Sequence, residues 1–600
     1  METAGSSASS KKIASGAHTT SEQKYDILQG SKYLWKMPQT DPEAVRTAAY
    51  AHNLSLPIAQ TLLGRGYTDH EAIRSFLFSS HEQDVPHPLG LKGAEIAANR
   101  IIEAIKNKEK MLVFGDYDVD GATSSAVMLI ALIPLGANIN YHLPHREKEG
   151  YGLSSTAVKK AIASGYKLII TVDNGISATA AAHEAWSSGI DLVITDHHRP
   201  HGELPKALAI VNPNQTDCPY AFKKLAGVGV IFKIVCLIYE KLGIEKLPEK
   251  LYELIMLGTV ADVVPLIGEN RFWVKNGLWK TNEFRSTAMS ALMANSGLSK
   301  PRLTSLDIGF MIAPQINALG RLADSREAVK FLISSDEKEV SRIGQILKNM
   351  NEDRKKIDRE IYEEIEAEIK SKRIDLDKES LIMAASNHWP AGVIGLVAGK
   401  LTHNFGRPAI LLHIDAKGYA KGSCRSIPEF NIFDALEENK DLLLSFGGHS
   451  CAAGLKLEQK HLPTLKKNIE ARINAQLSKH DLQPKLMLDA RLELSEISHK
   501  LLSDLEQLEP FGNQNPQPTF LIPDVSQIKP PQLLKDKHVK CTVFAQGVIK
   551  PVIFFNRPDL FKVFRELDDK PFNLAGFVIK NEWEGTTRIE LQGTDIQILP

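Results

Sequence analysis

The chain has 600 residues, enough for about three to five domains of ordinary size. Hydrophobic residues make up 43% and charged residues 24%, which is usual for a globular chain with ample core. Lys plus Arg and Asp plus Glu both number 72, so the chain as a whole lacks the strongly basic character of many nucleic-acid binders, and any such affinity must come from local basic surface.

The five cysteines (Cys218, Cys236, Cys424, Cys451 and Cys541) are odd in number and widely spaced, with no Cys-x-x-Cys. That argues against a disulfide scaffold or a zinc ribbon, and a reducing cytoplasm is the expected location. No apolar run approaches the ~18 residues of a membrane span, and no secretory leader is expected at the N-terminus.

Residues 1–28 are rich in Ser, Ala, Thr and Gly and read as a disordered tail. Residues 29–95 read as a helical region, with Leu54, Ile58, Leu62 and Leu63 spaced for one buried face. From 96 to about 340 the pattern alternates strand and helix. Met111–Phe114, Leu168–Val172 and Asp191–Thr195 are short apolar runs, separated by Ala- and Ser-rich helical stretches, and residues 225–345 continue as helices. This pattern implies a mostly parallel sheet. A charged stretch over 341–375 reads as a solvated connecting helix. A second α/β domain spans 376–475. Residues 480–600 carry short β-like runs that fit a small barrel.

Three of the predicted strands are followed at once by acids or imidazoles: Asp116-Tyr117-Asp118-Val119-Asp120-Gly121, Asp173-Asn174-Gly175 and Asp196-His197-His198. Ligands bind at the carboxyl ends of strands in an open parallel sheet, so these clusters share one rim. A fourth acid, Asp262, lies in Ala261-Asp262-Val263-Val264-Pro265. Taken singly each piece is weak. Asp-x-Asp-x-Asp is more often an Asx-rich turn, a lone Asp173 more often a helix N-cap, and a His-His pair more often a surface or core pair. Crowded together, the carboxylates repel unless cations neutralise them. Mixed Asp/His ligands suit Mn²⁺ and oxygen-rich sets accept Mg²⁺; two such ions about 3.5–4 Å apart can activate water for an in-line phosphoryl displacement. The expectation is a metal-dependent phosphoesterase.

The runs Phe114–Ser124, Val172–Gly175 and Thr195–His198 resemble the signature motifs of the DHH phosphoesterase superfamily. Gly422-Ser423-Cys424-Arg425-Ser426 and Phe446–Gly454 are similar to its DHHA1 domain. Pro144-His145-Arg146, Glu149–Leu153 and Ile316–Leu322 extend the likeness to the RecJ branch over about residues 30–600. The resemblance implies a parallel-sheet DHH domain joined by a long helix to a smaller α/β DHHA1 domain, then an OB-like barrel. It implies a 5′→3′ exonuclease that degrades single-stranded DNA to mononucleotides in repair and recombination, using two divalent cations, Mn²⁺ or Mg²⁺.

Carried over residue by residue, Asp118, Asp120, Asp173, His197 and Asp262 become metal ligands, with Asp173 bridging and Asp116 a further ligand or a hydrogen-bonding support. His198, with Asp196, becomes the catalytic group beside the scissile phosphate. Arg146, Arg321, Ser423, Arg425 and His449 become phosphate or nucleotide contacts. In the barrel, Lys535, Lys537, His538 and Lys540 form the basic cluster for DNA, with Phe544, Phe554 and Phe555 as candidate stacking rings that would otherwise be core. The expected partners are single-stranded DNA, a helicase and a single-strand-binding protein, around a monomeric chain with no membrane contact. Gln315 stands where the family pattern has Arg, and Trp389-Pro390 where it has Trp-His, which bears on peripheral substrate contacts. Two rival readings are a DHH enzyme for short oligonucleotides or cyclic dinucleotides, and a non-catalytic DNA-binding replication scaffold. The extra C-terminal residues weigh against the first and the intact ligand set against the second.

Overall fold

The computed structural model describes residues 23–144, 149–150, 152–322, 325–567, 570–583 and 586–599. The chain forms two compact units, one from Glu71–Lys348 and Glu509–Pro516, the other from Gln23–His70, Asn349–Leu508 and Gln517–Pro600.

The region expected to be helical opens instead with an antiparallel hairpin, β1 (Tyr25–Gln29) and β2 (Leu34–Pro38). Of the expected tail, residues 1–22 lie outside the described residues, and Tyr25–Leu28 belong to β1. Helices Pro42–His52, Leu56–Gly64 and His70–Leu77 follow. Leu54, Ile58 and Leu62 are buried as the spacing predicts, while Leu63 is half-buried.

The first unit is built on five parallel strands: β3 (Lys110–Gly115), β4 (Asn138–His142), β5 (Leu168–Val172), β6 (Asp191–Thr195) and β7 (Ala209–Val211), in the order β4-β3-β5-β6-β7. Leu112, Phe114, Ile169, Leu192 and Ile194 pack one face against Val158, Ala161, Ala181, Ala182 and Ala185 of the crossover helices. Helix Val119–Leu132, buried almost throughout, packs against Gly227–Lys241 and Lys250–Ala261. Every residue of β5 is buried, as expected for a strand covered on both faces. A 34-residue helix, Glu337–Lys370, occupies the charged stretch.

In the second unit, β8 (Ile382–Ser386), β9 (Ala409–Ile414), β10 (Tyr419–Arg425), β11 (Leu443–His449) and β12 (Ala452–Glu458) form a mixed sheet in the order β11-β12-β10-β9-β8. Strand β13 (Lys485–Met487) joins β2 in parallel. Strands β14 (Ala490–Arg491), β15 (Phe520–Leu534), β16 (His538–Ala545), β17 (Val548–Phe554), β18 (Phe572–Trp583) and β19 (Thr586–Ile598) make the C-terminal sheet, which β15–β18 pairing closes into a five-stranded OB-type barrel. Phe554 is fully buried in that barrel and is core rather than a stacking ring, because β17 turns it inward; Phe544 and Phe555 are exposed. Lys535, Lys537 and Lys540 are exposed, and His538 accepts the Asn556 N–H at Nδ1 and meets the Phe555 ring edge-on. Among the described residues no helix is long and apolar enough to cross a membrane, and all five cysteines are free.

Candidate metal centre

Asp116, Asp173 and Asp262 follow directly on a strand or helix, Asp118 lies in the short loop after β3, Asp120 lies in the first turn of helix Val119–Leu132, and the local geometry depends on a few small residues. A Cβ on Gly121 would lie 2.4 Å from the Asp116 carbonyl oxygen, so only glycine lets the loop after β3 fold this tightly. Asp118 caps helix Val119–Leu132, its Oδ1 accepting the Gly121 N–H at 3.1 Å. Asp120 is 1% exposed, and its two oxygens accept the Gly227 and Val228 N–H groups at 2.6 and 2.7 Å. Those donors open helix Gly227–Lys241, whose positive end favours a carboxylate. Asp173 follows β5 with φ of 63°, a left-handed turn and not a helix cap. Asp262 ends helix Lys250–Ala261. The next residue, Val263, has φ of 58°, which costs a β-branched residue on the order of 1–3 kcal/mol, and Asn513 Nδ2 holds its carbonyl at 2.7 Å.

The side chains converge. Nε2 of His197 lies 3.2 Å from Asp173 Oδ1, 3.5 Å from Asp262 Oδ2 and 4.0 Å from Asp120 Oδ2. These separations are within ion-pair reach, yet His197 Nε2, Asp173 Oδ1 and Asp262 Oδ2 are all buried without a hydrogen-bond partner. Burial, and next the charge of His198, push His197 down to about 4, while its ring bonds the Leu225 backbone. A neutral imidazole therefore faces three carboxylates, an arrangement that is relieved by a cation between them or, without one, by protons kept on the acids. Burial first, and then neighbouring carboxylates, raise Asp116, Asp173 and Asp262 well above the usual carboxylate range and Asp120 to about 7.

Three overlapping ligand sets emerge: Asp120, His197 and Asp262; Asp116, Asp118 and Asp173; and Asp173, His197 and His198. Asp173 belongs to two of them. The first set, with one imidazole, and the second, all carboxylate, fit hard or borderline divalent cations; the third has two imidazoles and one carboxylate.

His198 sits beside this cluster with its side chain 43% exposed. Asp196, 1% exposed, accepts the Ile176 N–H at Oδ2 and the N–H groups of His197 and His198 at Oδ1, so it serves the His-His pair rather than the cluster. Asn212 and Asn214 donate to the carbonyls of His198 and His197, and Asn317 accepts the Val119 N–H. These supports and the Gly227-Val228 donors are not among the residues expected from the sequence. Val211-Asn212-Pro213-Asn214 carried the same signal as the other clusters, polar residues directly after a strand.

Of the expected substrate contacts, Arg146 lies outside the described residues, and Arg321 is described only as helical backbone. Ser423 and Arg425 are neighbours on β10, with Arg425 Nη1 donating to Ser423 Oγ at 3.1 Å. His449 is exposed at the end of β11. Gln315 is buried and donates to the Leu292 and Met311 carbonyls and to Ser296 Oγ, so it packs helices together. Trp389 is buried with Nε1 on Glu364, whose carboxylate also meets His388.

A parallel sheet with Asp and His clusters on one rim, followed by a smaller α/β domain, defines a DHH/DHHA1-type phosphoesterase. Residues 110–259 match the DHH family N-terminal domain, 378–475 the DHHA1 domain and 488–595 the RecJ OB domain. The single-stranded-DNA-specific exonuclease RecJ of Bacillus subtilis is 35% identical over 573 residues, which is 95% of this chain and 72% of that protein. The chain therefore belongs to the RecJ family. Its fold is similar to RecJ of Thermus thermophilus in complex with Mn²⁺, with a TM-score of 0.78 and 27% identity over 94% of this chain and 80% of that one. The Mg²⁺ complex of RecJ from the same organism gives 0.72 at 25% identity, covering 94% and 78%.

Proposed function

We propose that the chain is a metal-dependent exonuclease that hydrolyses single-stranded DNA from the 5′ end to mononucleotides, in repair and recombination. The observation that carries this is His197 Nε2 facing the buried carboxylates of Asp120 and Asp173 and the partly buried one of Asp262, in a chain related to RecJ proteins along almost its whole length. Asp120, His197 and Asp262 would hold one divalent cation, Mn²⁺ or Mg²⁺, and Asp116 and Asp118 a second, with Asp173 shared. When bound, such a pair supplies charge neutralisation at the phosphate and activation of water for in-line attack.

The chain's own groups do the rest. Helix Gly227–Lys241 fixes Asp120 from behind. Asp196 orients the His198 ring, leaving its Nε2 to donate to or protonate a phosphate oxygen. Ser423 and Arg425, with Arg146, Arg321 and His449, would hold nucleotide phosphates, the planar guanidinium matching two phosphate oxygens. In the barrel, Lys535, Lys537, His538 and Lys540, with the exposed Phe544 and Phe555, would take the strand by charge and stacking. We place the protein in the reducing cytoplasm as a monomer, with a helicase and a single-strand-binding protein as partners.

Digestion of 5′- and 3′-labelled single strands and duplexes with Mn²⁺ or Mg²⁺ tests the proposal. The expected result is early release of the 5′ label as a mononucleotide from single strands only. Release from the 3′ end alone, or no cleavage with either metal, overturns it.

A further inference from the structure

Strands β10, β12 and β11 bury one face in the core; on the other face helix Ile394–Phe405 lies against Ser423 and Arg425, where a Cβ on Gly395 would lie 2.8 Å from Ser423 Oγ, while the Lys421 end of β10 is exposed. Ala420 and Cys424 of β10 and Leu455 and Leu457 of β12 point into the core. Alternation therefore places Lys421, Ser423 and Arg425, with Ala452, Gly454 and Lys456, on the opposite face. Register arranges this face in rows. Arg425, Ala452 and His449 form one; Ser423, Gly454 and Gly447 the next; Lys421, Lys456 and Ser445 the third.

Two features of this face oppose stability. Lys421 and Lys456 stand directly opposite each other, and like charges in that relation are destabilising. Both are exposed, and neither has an ion pair among the described residues; Lys456 Nζ leans over the Tyr419 ring at 5.1 Å. Gly447 and Gly454 also face each other inside paired strands, where glycine weakens a sheet and often marks a close approach by a ligand. A Cβ on Gly447 would meet nothing within 4 Å, and one on Gly454 only the Gly422 carbonyl oxygen at 3.8 Å, so nothing in the fold excludes a side chain from either position. The Gly447–Gly454 floor, both lysines, Tyr419 and Ser445 line one groove of about 530 Å³. Asp415 sits on the same groove; its Oδ1 accepts the N–H groups of Tyr419 and Lys417 at 2.9 Å, and its carboxylate also feels the charge of Lys456, so it offsets part of the lysine repulsion, while Lys421 and Lys456 together still leave the pair net positive.

We propose that this groove binds the backbone of a single strand, with one phosphate between Lys421 and Lys456 and its sugar over the Gly447–Gly454 floor. Adjacent rows are about 6.8 Å apart, roughly one nucleotide of extended strand. The lysine site would then hold the phosphate next to the one at Ser423 and Arg425. An anion there turns the Lys421–Lys456 repulsion into paired attraction. The inference rests on the reading of the chain as a single-strand nuclease, and it adds a second subsite.

The test uses the full chain and compares K421Q/K456Q with wild type and with K440Q/K467Q, which removes two exposed lysines elsewhere. Binding of a 5′-phosphorylated 12-mer oligothymidylate is followed by fluorescence anisotropy in EDTA at several salt concentrations. For K421Q/K456Q, affinity should fall about fivefold to tenfold, and the slope of log K against log salt should shrink by about 0.7, one phosphate's worth. With metal, KM for the same strand should rise by a similar factor while kcat moves less than twofold, and the melting temperature should hold or rise. Unchanged affinity, slope and KM in K421Q/K456Q, or equal losses in K440Q/K467Q, overturn the subsite while wild-type digestion still supports the exonuclease reading. A wild type that leaves single strands intact sinks that reading itself.

Discussion

Nδ1 of His198 lies 2.7 Å from Oδ1 of Asp196, and the same oxygen accepts two backbone N–H groups. Burial works against a charged His198, but the bond and charge of Asp196, with Asp116 and Asp120 behind it, outweigh that and hold the imidazole above its ordinary value. In return, His198 and the N–H groups outweigh burial and keep Asp196 below the usual carboxylate range. The pair therefore orients the His198 ring and favours its charged form.

Asp196→Asn removes that charge while keeping most of the shape. Loss of an orienting partner typically costs about 10–100-fold, and a drop in kcat of that size is expected. His198 should lose its proton at lower pH, so the limb of the kcat profile that follows it moves to lower pH. An unmoved profile would separate Asp196 from His198 function.

Asp173→Asn should act in opposite directions on activity and on the metal-free fold. Asp173 is 2% exposed, and burial with its acidic neighbours resists its ionisation. Removing the charge should raise the melting temperature in EDTA. Cleavage of single strands should fall by more than the about 100-fold typical of an outer partner, and Mn²⁺ should no longer raise the melting temperature as it does in wild type. Retained cleavage would mean that this cluster is not the engine.

The same electrostatics set a pH dependence. Asp116, Asp120, Asp173 and Asp262 keep their protons to higher pH in the folded chain than when exposed, Asp120 to about 7. Between the ordinary carboxylate range and about pH 7 the metal-free folded chain thus holds more protons than the unfolded one, and its stability falls as pH rises. Cations compete with those protons, so the gain in melting temperature on adding Mn²⁺ should be larger at about pH 8 than at about pH 5.5. Calorimetry with EDTA or Mn²⁺ at both pH values checks this; equal gains would count against cation binding at these acids.

Much of the centre was legible because strand-end chemistry is local: Asp173 and Asp196-His197-His198 sit directly after runs that pattern alone marks as strands. The long charged helix was legible for the same reason. The hairpin at Tyr25–Pro38 was not, because its two strands are only five residues each and β2 gains its second neighbour from Lys485–Met487, far along the chain, a pairing that no periodicity reports. The grip of Gly227 and Val228 on Asp120 was hidden in the same way. Phe544 and Phe554 look alike in sequence, yet one faces out from β16 and the other in from β17, which only register decides.

That hairpin is held by one buried acid. Asp595 accepts Trp35 Nε1 at 2.9 Å, Ser31 Oγ at 2.6 Å and Arg557 Nη1 at 3.1 Å, and it is fully buried. Asp595→Ala would leave Arg557 without this partner in the interior. A loss of about 3–5 kcal/mol in the unfolding of this unit is expected from denaturant titration followed by Trp fluorescence. A loss below about 1 kcal/mol would mean that Asp559, the other carboxylate on Arg557, is sufficient.

Gly227→Ala tests whether the metal centre depends on close approach rather than on ligand identity alone. A Cβ at position 227 would lie 2.6 Å from the Asp173 Cβ and 2.7 Å from its Oδ1, closer than real Cβ contacts come. Alanine suits a helix better than glycine, so overall folding should survive. Asp173 must then retreat, or the helix must back away and loosen its grip on Asp120. Either movement spoils ligand spacing without deleting a ligand, and Mn²⁺ affinity should fall about 10–100-fold by calorimetric titration, with activity recovering partly at high Mn²⁺. Wild-type affinity in a folded Gly227→Ala chain would show that the sheet rim tolerates the added methyl and that Asp173 is not held by this contact.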